Sequence, residues 1–212
     1  MIHLKEIREA IITGRPDDAK DLAQKALQGG GQADKILNET LIPAINEVGE
    51  KFGRNEIFFP EMLVSAMAMK EALSVLRPVL VDKGIKAIGR VVLGTVQGDL
   101  HDIGKNLVGM LLEGAGFEVI DLGIDIPKEL FIKATREKNP QLLALSALLT
   151  TTMPRMKEVI DILEREGLRE QVKVIIGGAP VTQQYADEIG ADGYAPDAAS
   201  AASKARGILE IA

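Results

Sequence analysis

The stretch GDLHDIGKNLV, Gly98 to Val108, holds one of the chain's 2 histidines, and its residue types suit a transition-metal site. A neutral imidazole is a good donor to such a metal, and a nearby carboxylate can hold its far ring nitrogen, fixing the tautomer and raising ligand basicity. Asp99 and His101 make that pair. The other histidine, His3, stands at an N-terminus expected to fray, so no second imidazole is expected at the site. Gly104 at a helix start, and Gly177 with Gly178 at a strand exit, remove side chains where a bulky ligand would approach the backbone. The hydroxyls of Ser146, Thr150 and Thr152 can hydrogen-bond polar ligand edges or extend a proton path to Asp99. Asp102 reads as a helix N-cap or first-turn carboxylate.

Rival chemistries fit less well. A phosphate loop wants four residues between its glycine and Gly-Lys, followed by Ser or Thr; here five intervene and Asn106 follows Lys105. A hydrolytic metal site built on Asp99, His101 and Asp102 would need further carboxylates from other loops. The absence of cysteine removes thiolate zinc sites, iron-sulfur clusters, disulfides and cysteine nucleophiles. A net charge of -6, a pI near 5.1 and 3% aromatic residues argue against a nucleic-acid partner. With no long apolar run and no leader pattern, neither a membrane span nor secretion is expected, and the expected location is cytoplasmic.

The elements that must position these residues fall into two rhythms. Through about residue 85 the apolar spacing is helical: IREAIITG; PDDAKDLAQKALQ, opened by Pro16 and closed by Gly29 to Gly31; a third helix from about Ala33 to Phe52 with a kink expected at Pro43; and a fourth from about Pro60 to Val81. A four-helix bundle is expected over residues 1–88. From residue 89 to 212 short apolar runs begin at Arg90, Phe117, Leu142, Val172 and Asp192, and helical patterns lie between them (Ile103 to Ala115, Pro127 to Lys138, Met153 to Glu166, Thr182 to Ile189, Asp197 to Ile211). That alternation predicts an α/β domain with a five-stranded, doubly wound, flavodoxin-like (Rossmann-like) parallel sheet, whose order is assumed to be 2-1-3-4-5 because five βα units most often adopt it. In that order the first, third and fourth strands are neighbours, and the unusual residues share one edge. Lys83 to Gly89 is the expected linker.

On these residues the chain resembles cobalamin-binding domains of the methionine synthase type, and closely the corrinoid proteins of methanol, methylamine and methoxyaromatic methyltransferase systems. The family's Asp-x-His-x-x-Gly stands as Asp99, His101 and Gly104, its Ser-x-Leu as Ser146 and Leu148, and its paired glycine as Gly177 and Gly178. The spacing agrees, with 41 residues between Gly104 and Ser146 and 28 between Leu148 and Gly177. The resemblance extends over nearly the whole chain and implies a corrinoid cofactor such as methylcobalamin or hydroxocobalamin. It implies His101 as lower axial ligand to cobalt, Asp99 behind it, and Thr152 as the relay hydroxyl. The implied cofactor contacts are Gly98, Asp99, His101, Asp102, Ile103, Gly104, Ser146, Leu148, Thr150, Gly177, Gly178 and Ala179, with Phe58 and Met62 of the helical half as a cap over the ring.

The implied function is methyl carriage. Cobalt(I) would accept a methyl group from a substrate on a partner methyltransferase, and methyl-cobalt(III) would give it to a second methyltransferase acting on tetrahydrofolate or coenzyme M. A reductive activation protein completes the implied partners. A cobalamin-binding regulator would use the same pocket, but such proteins usually carry a DNA-binding element, and this acidic chain shows no basic recognition helix. An adenosyl-type mutase subunit is opposed by the helical cap. A flavodoxin-like electron carrier is the alternative from another class, distinguished by flavin in place of corrinoid.

Overall fold

The computed structural model describes residues 4–84 and 86–210; His3 lies outside them. The chain divides into two compact units, with the boundary between Ala87 and Ile88 and with Glu113–Gly116 grouped with the first unit. No helix among the described residues is long and apolar enough to cross a membrane.

The first unit is helical. Helices α1 (Leu4–Ile12), α2 (Pro16–Gln28), α3 (Ala33–Ile36), α4 (Ile42–Gly53) and α5 (Phe59–Asp82) follow one another with short connections. Helix α2 packs along α5, and α1 touches α2, α4 and α5. The buried residues Ala19, Ala23 and Ala26 recur at helical spacing and let α2 lie close to its neighbour. Pro16 opens α2, where its missing N–H costs no hydrogen bond. The expected third helix exists, but not as one kinked rod. A π-helical turn, Leu37–Leu41, joins α3 to α4, and Ile42 donates its N–H to the Leu37 carbonyl. Pro43 has no N–H for the carbonyl four residues back, so the ladder loosens just before it instead of bending sharply. Helix α5 continues through Pro78 to Asp82, and the Glu61 carboxylate accepts the Phe58 N–H at its start (2.8 Å).

The second unit is the expected doubly wound sheet. Strands β1 (Arg90–Thr95), β2 (Glu118–Asp121), β3 (Leu142–Ser146), β4 (Lys173–Gly177) and β5 (Gly193–Ala195) form one parallel sheet in the order β2-β1-β3-β4-β5. The crossovers run through α6 (Ile103–Gly114), α7 (Lys128–Lys138), α8 (Pro154–Arg165) and α9 (Gln183–Ile189), and α10 (Ala198–Ile208) follows β5. Strands β1, β3 and β4 are buried along nearly their whole length, as helices on both faces require, whereas β2 exposes Glu118 and Asp121 at its two ends. Thr182 and Asp197, read from the sequence as first helical residues, stand just outside their helices as N-caps, accepting from Tyr185 N–H (3.1 Å) and Ser200 N–H (2.7 Å). The last helix ends at Ile208, short of the expected Ile211, which lies outside the described residues.

Register sets up the functional edge. Thr95 pairs with Ser146, Ser146 with Gly177 and Gly177 with Ala195, so the last residues of four strands form one row. Beneath the row, Phe131 of α7 is fully buried against β1 at Gly94. A Cβ at Gly94 would stand 2.8 Å from the Phe131 ring. Gly94→Ala is therefore expected to lower stability by about 1–3 kcal/mol through overpacking, read from a urea unfolding curve, with the corresponding change at Gly190, where a Cβ meets nothing within 4 Å, acting only through its positive φ.

Candidate functional site

The site is built at the carboxyl ends of β1, β3 and β4. After β1 the chain turns at Gly98 (φ 84°), which exposes Leu100 and His101 and turns Asp99 inward, where it is fully buried. One carboxylate oxygen of Asp99, Oδ1, accepts the His101 backbone N–H (3.1 Å) and faces His101 Nδ1 at 2.7 Å. Its other oxygen, Oδ2, accepts the Thr152 hydroxyl (2.7 Å) and the backbone N–H groups of Leu148 (2.7 Å) and Leu149 (3.3 Å).

The electrostatics follow from these partners. Burial pushes the Asp99 carboxyl up, but the donors from Thr152, Leu148 and His101 outweigh it and hold the group well below the usual carboxylate range. Asp99 is therefore an ionised acceptor, and Nδ1 of His101 must carry the proton that lies between them. The imidazole then presents the lone pair of Nε2 outward, on a side chain that is 49% exposed. Nε2 has no protein partner among the described residues.

The glycines divide by cause. A Cβ at Gly178 (φ 132°) would stand 1.9 Å from the Ala147 carbonyl oxygen, and one at Gly177 3.0 Å from that of Ala195. Both are required by the protein's own packing, before any ligand is considered. Gly104 is different. It lies in the first turn of α6, where glycine weakens a helix, and a Cβ there would meet no atom within 4 Å. No contact among the described residues demands that glycine, and the open space beside it suits a ligand. Around His101 the loops expose apolar side chains: Leu100 (68%) and Ile103 (67%) after β1, Ile124 after β2, and Leu148 with Leu149 after β3. Exposed apolar side chains of this kind, on the loops that also carry a free imidazole nitrogen, suit a large apolar ligand that contains a metal.

Of the residues named from the sequence, Gly98, Asp99, His101, Asp102, Ile103, Gly104, Ser146, Leu148, Thr150, Thr152, Gly177, Gly178 and Ala179 all stand on this edge of the second unit. Thr152 is buried and Thr150 is exposed, so of the two only Thr152 reaches Asp99. Asp102 precedes α6, accepts the Asn106 N–H on its carbonyl (2.7 Å) and the Asn106 amide on its side chain (3.2 Å). In the first unit, Phe58 is 72% exposed, whereas Met62 is fully buried on the face of α5 that also carries Ala66 and Met69. Sequence reading missed Thr95, whose hydroxyl donates to the His101 carbonyl, and Asp125, whose carboxylate accepts the Gly98 N–H. The signals were a lone hydroxyl at the end of an apolar strand and an aspartate in the connection Gly123 to Pro127.

Asp99→Asn is expected to cost about 1–3 kcal/mol at neutral pH, because one amide end must turn a donor toward buried donors. The folded-state carboxyl titrates below its unfolded value of about 3.9, so its contribution is whole above about pH 4 and fades as pH falls further. Urea unfolding across a pH series should therefore show a constant gap between the two proteins from pH 8 to about pH 5, narrowing below about pH 4.

Comparison with known proteins shows the family to which the chain belongs. Two family models, each described as a B12 binding domain, match residues 89–203 and 3–77. Dimethylamine corrinoid protein 1 of Methanosarcina acetivorans is 42% identical over 207 residues, covering 97% of each chain. The trimethylamine corrinoid protein of Methanosarcina barkeri is 39% identical over 210 residues, covering 98% of this chain and 97% of that one. Among solved structures, the methanol:cobalamin methyltransferase complex MtaBC of Methanosarcina barkeri superposes with a TM-score of 0.83 at 33% identity, covering 98% of this chain and 79% of that chain. A cobalamin-binding protein from Desulfitobacterium hafniense gives 0.82 at 31%, covering 98% and 99%. The chain belongs to the family of B12-binding corrinoid proteins, and its cofactor is a corrinoid.

Proposed function

We propose that the protein is a methyl carrier in which His101 Nε2 would hold the corrinoid cobalt. The observation that carries this reading is the buried, ionised Asp99 behind His101 Nδ1, which fixes the ring in the tautomer a metal needs. When bound, the corrinoid supplies a cobalt centre that takes up a methyl group in its reduced state and yields it to an acceptor.

The chain's own residues bind, orient and hold a proton. Leu100, Ile103, Ile124, Leu148 and Leu149 exclude water beneath the ring. The open space at Gly104 would receive the cofactor's tail. The Asp99 carboxylate, 2.7 Å from Nδ1, would hold the ring in place both when Nε2 binds a metal and when it does not. Thr152 donates to that carboxylate at 2.7 Å and helps to keep it ionised in either state. A substrate-specific methyltransferase delivers the methyl group and a second one, acting on tetrahydrofolate or coenzyme M, removes it; a reductive activation protein restores the cobalt. The identities of 42% and 39% to a dimethylamine and a trimethylamine corrinoid protein support a methylamine as the donor.

The ultraviolet-visible spectrum of the full chain reconstituted with hydroxocobalamin, beside His101→Ala, tests the site. Stoichiometric uptake with altered axial-ligand bands in the variant is expected; absence of uptake by the unaltered chain would overturn the reading. With reduced cofactor loaded, methylation by a dimethylamine- or trimethylamine-specific methyltransferase and its substrate should be observed. Thr152→Ala, which strips one donor from Asp99, should slow that methylation about tenfold. Methylation by a methanol-specific enzyme alone would exclude the amine assignment.

A further inference from the structure

A second set of hydrogen bonds holds the main chain of the His101 loop rather than its side chains. Thr95 ends β1, is fully buried, and donates its hydroxyl to the His101 carbonyl oxygen at 2.9 Å. The rest of the buried strand is Val91, Val92, Leu93 and Gly94, and a valine at Thr95 would serve sheet packing equally well. Packing therefore gives no reason for the hydroxyl, and the His101 carbonyl does. On the solvent side, the Asp125 carboxylate accepts the Gly98 N–H at 2.7 Å while the Asp125 N–H donates to the Asp99 carbonyl at 3.0 Å. Asp125 does this at φ 54°, a left-handed conformation that aspartate and asparagine tolerate better than most residues. Thr95 also receives the Ile126 N–H on its carbonyl and gives its own N–H to Gly123, so the β2–α7 connection is knit to the ligand loop along its length (both 3.0 Å).

We infer that Thr95 and Asp125 are positioning residues, which hold the His101 backbone at a fixed height above the sheet so that the imidazole keeps its place whether or not it binds the metal. The inference rests on the reading of His101 as axial ligand. Asp99 orients the ring, but the ring's distance from a bound cofactor also depends on where the His101 main chain stands. A ligand loop left free would have to be reordered at each return of the histidine, and that cost would appear as a weaker bond.

The test uses the full chain loaded with methylcobalamin and reads the fraction in the histidine-ligated form from its visible spectrum. Thr95→Val, close in shape but without the donor, should lower the ratio of ligated to unligated cofactor about tenfold, and Thr95→Ser should restore it. Asp125→Gly, an exposed change that keeps the left-handed backbone easy, should shift the ratio in the same direction, and Asp125→Asn, which keeps an acceptor, should not. Asp125→Gly decides the matter if Thr95→Val does not fold. In the His101→Ala background none of these changes should alter cofactor uptake. A ligated fraction unchanged in Asp125→Gly and in folded Thr95→Val, or a loss of uptake equal in both backgrounds, would overturn the inference. A spectrum of His101→Ala identical to that of the unaltered chain would instead overturn the ligand assignment beneath it.

Discussion

One buried negative charge organises the edge of the second unit. A carboxylate removed from water costs several kcal/mol unless donors replace its hydration, and Asp99 has no lysine or arginine beside it in the network described. Its donors come from two backbone N–H groups after β3, one hydroxyl, and the backbone and ring of His101. Bringing them together requires β1 and β3 to be neighbours in register, with Thr95 opposite Ser146. It also requires the chain after β3 to turn at once, and that turn depends on Gly178, against which the Ala147 carbonyl is pressed. A glycine just after β4 thus helps to set the surroundings of an aspartate after β1, with no ligand involved.

Much of this was legible in the sequence, for identifiable reasons. Five apolar runs separated by amphipathic segments leave few topologies, and the order assumed because five βα units most often adopt it is the one observed. Asp99 and His101 stood out because a histidine with a near carboxylate is chemically unusual in an otherwise ordinary βα connection, whereas Thr152 was one of three candidate hydroxyls and was singled out only by the family resemblance. Thr95 did not stand out, since threonine is a good strand former and its hydroxyl acquires meaning only when the loop after it folds back. Asp125 was hidden for a related reason: its partners, Gly98 and Asp99, are brought to it by the pairing of β1 with β2. In the helical unit the spacing found the helices but could not tell which apolar residues face inward, and Phe58 and Met62 lie on opposite sides of that distinction. The π turn before Pro43 escaped because a proline announces a missing hydrogen bond and not how the ladder will accommodate it. Gly177 and Gly178 were found, and their own packing, with no ligand involved, already accounts for them.

The two edges of the sheet carry a consequence of a different kind. They are its shortest strands, β2 with 4 residues and charged ends and β5 with 3. An edge strand is a template on which another chain can add by backbone pairing, and its reach grows with the length of unpaired N–H and C=O groups it offers. Glu118 and Asp121 bracket the one edge, and the other is over before a register can be established. Copies of this sheet therefore have little on which to pair edge to edge.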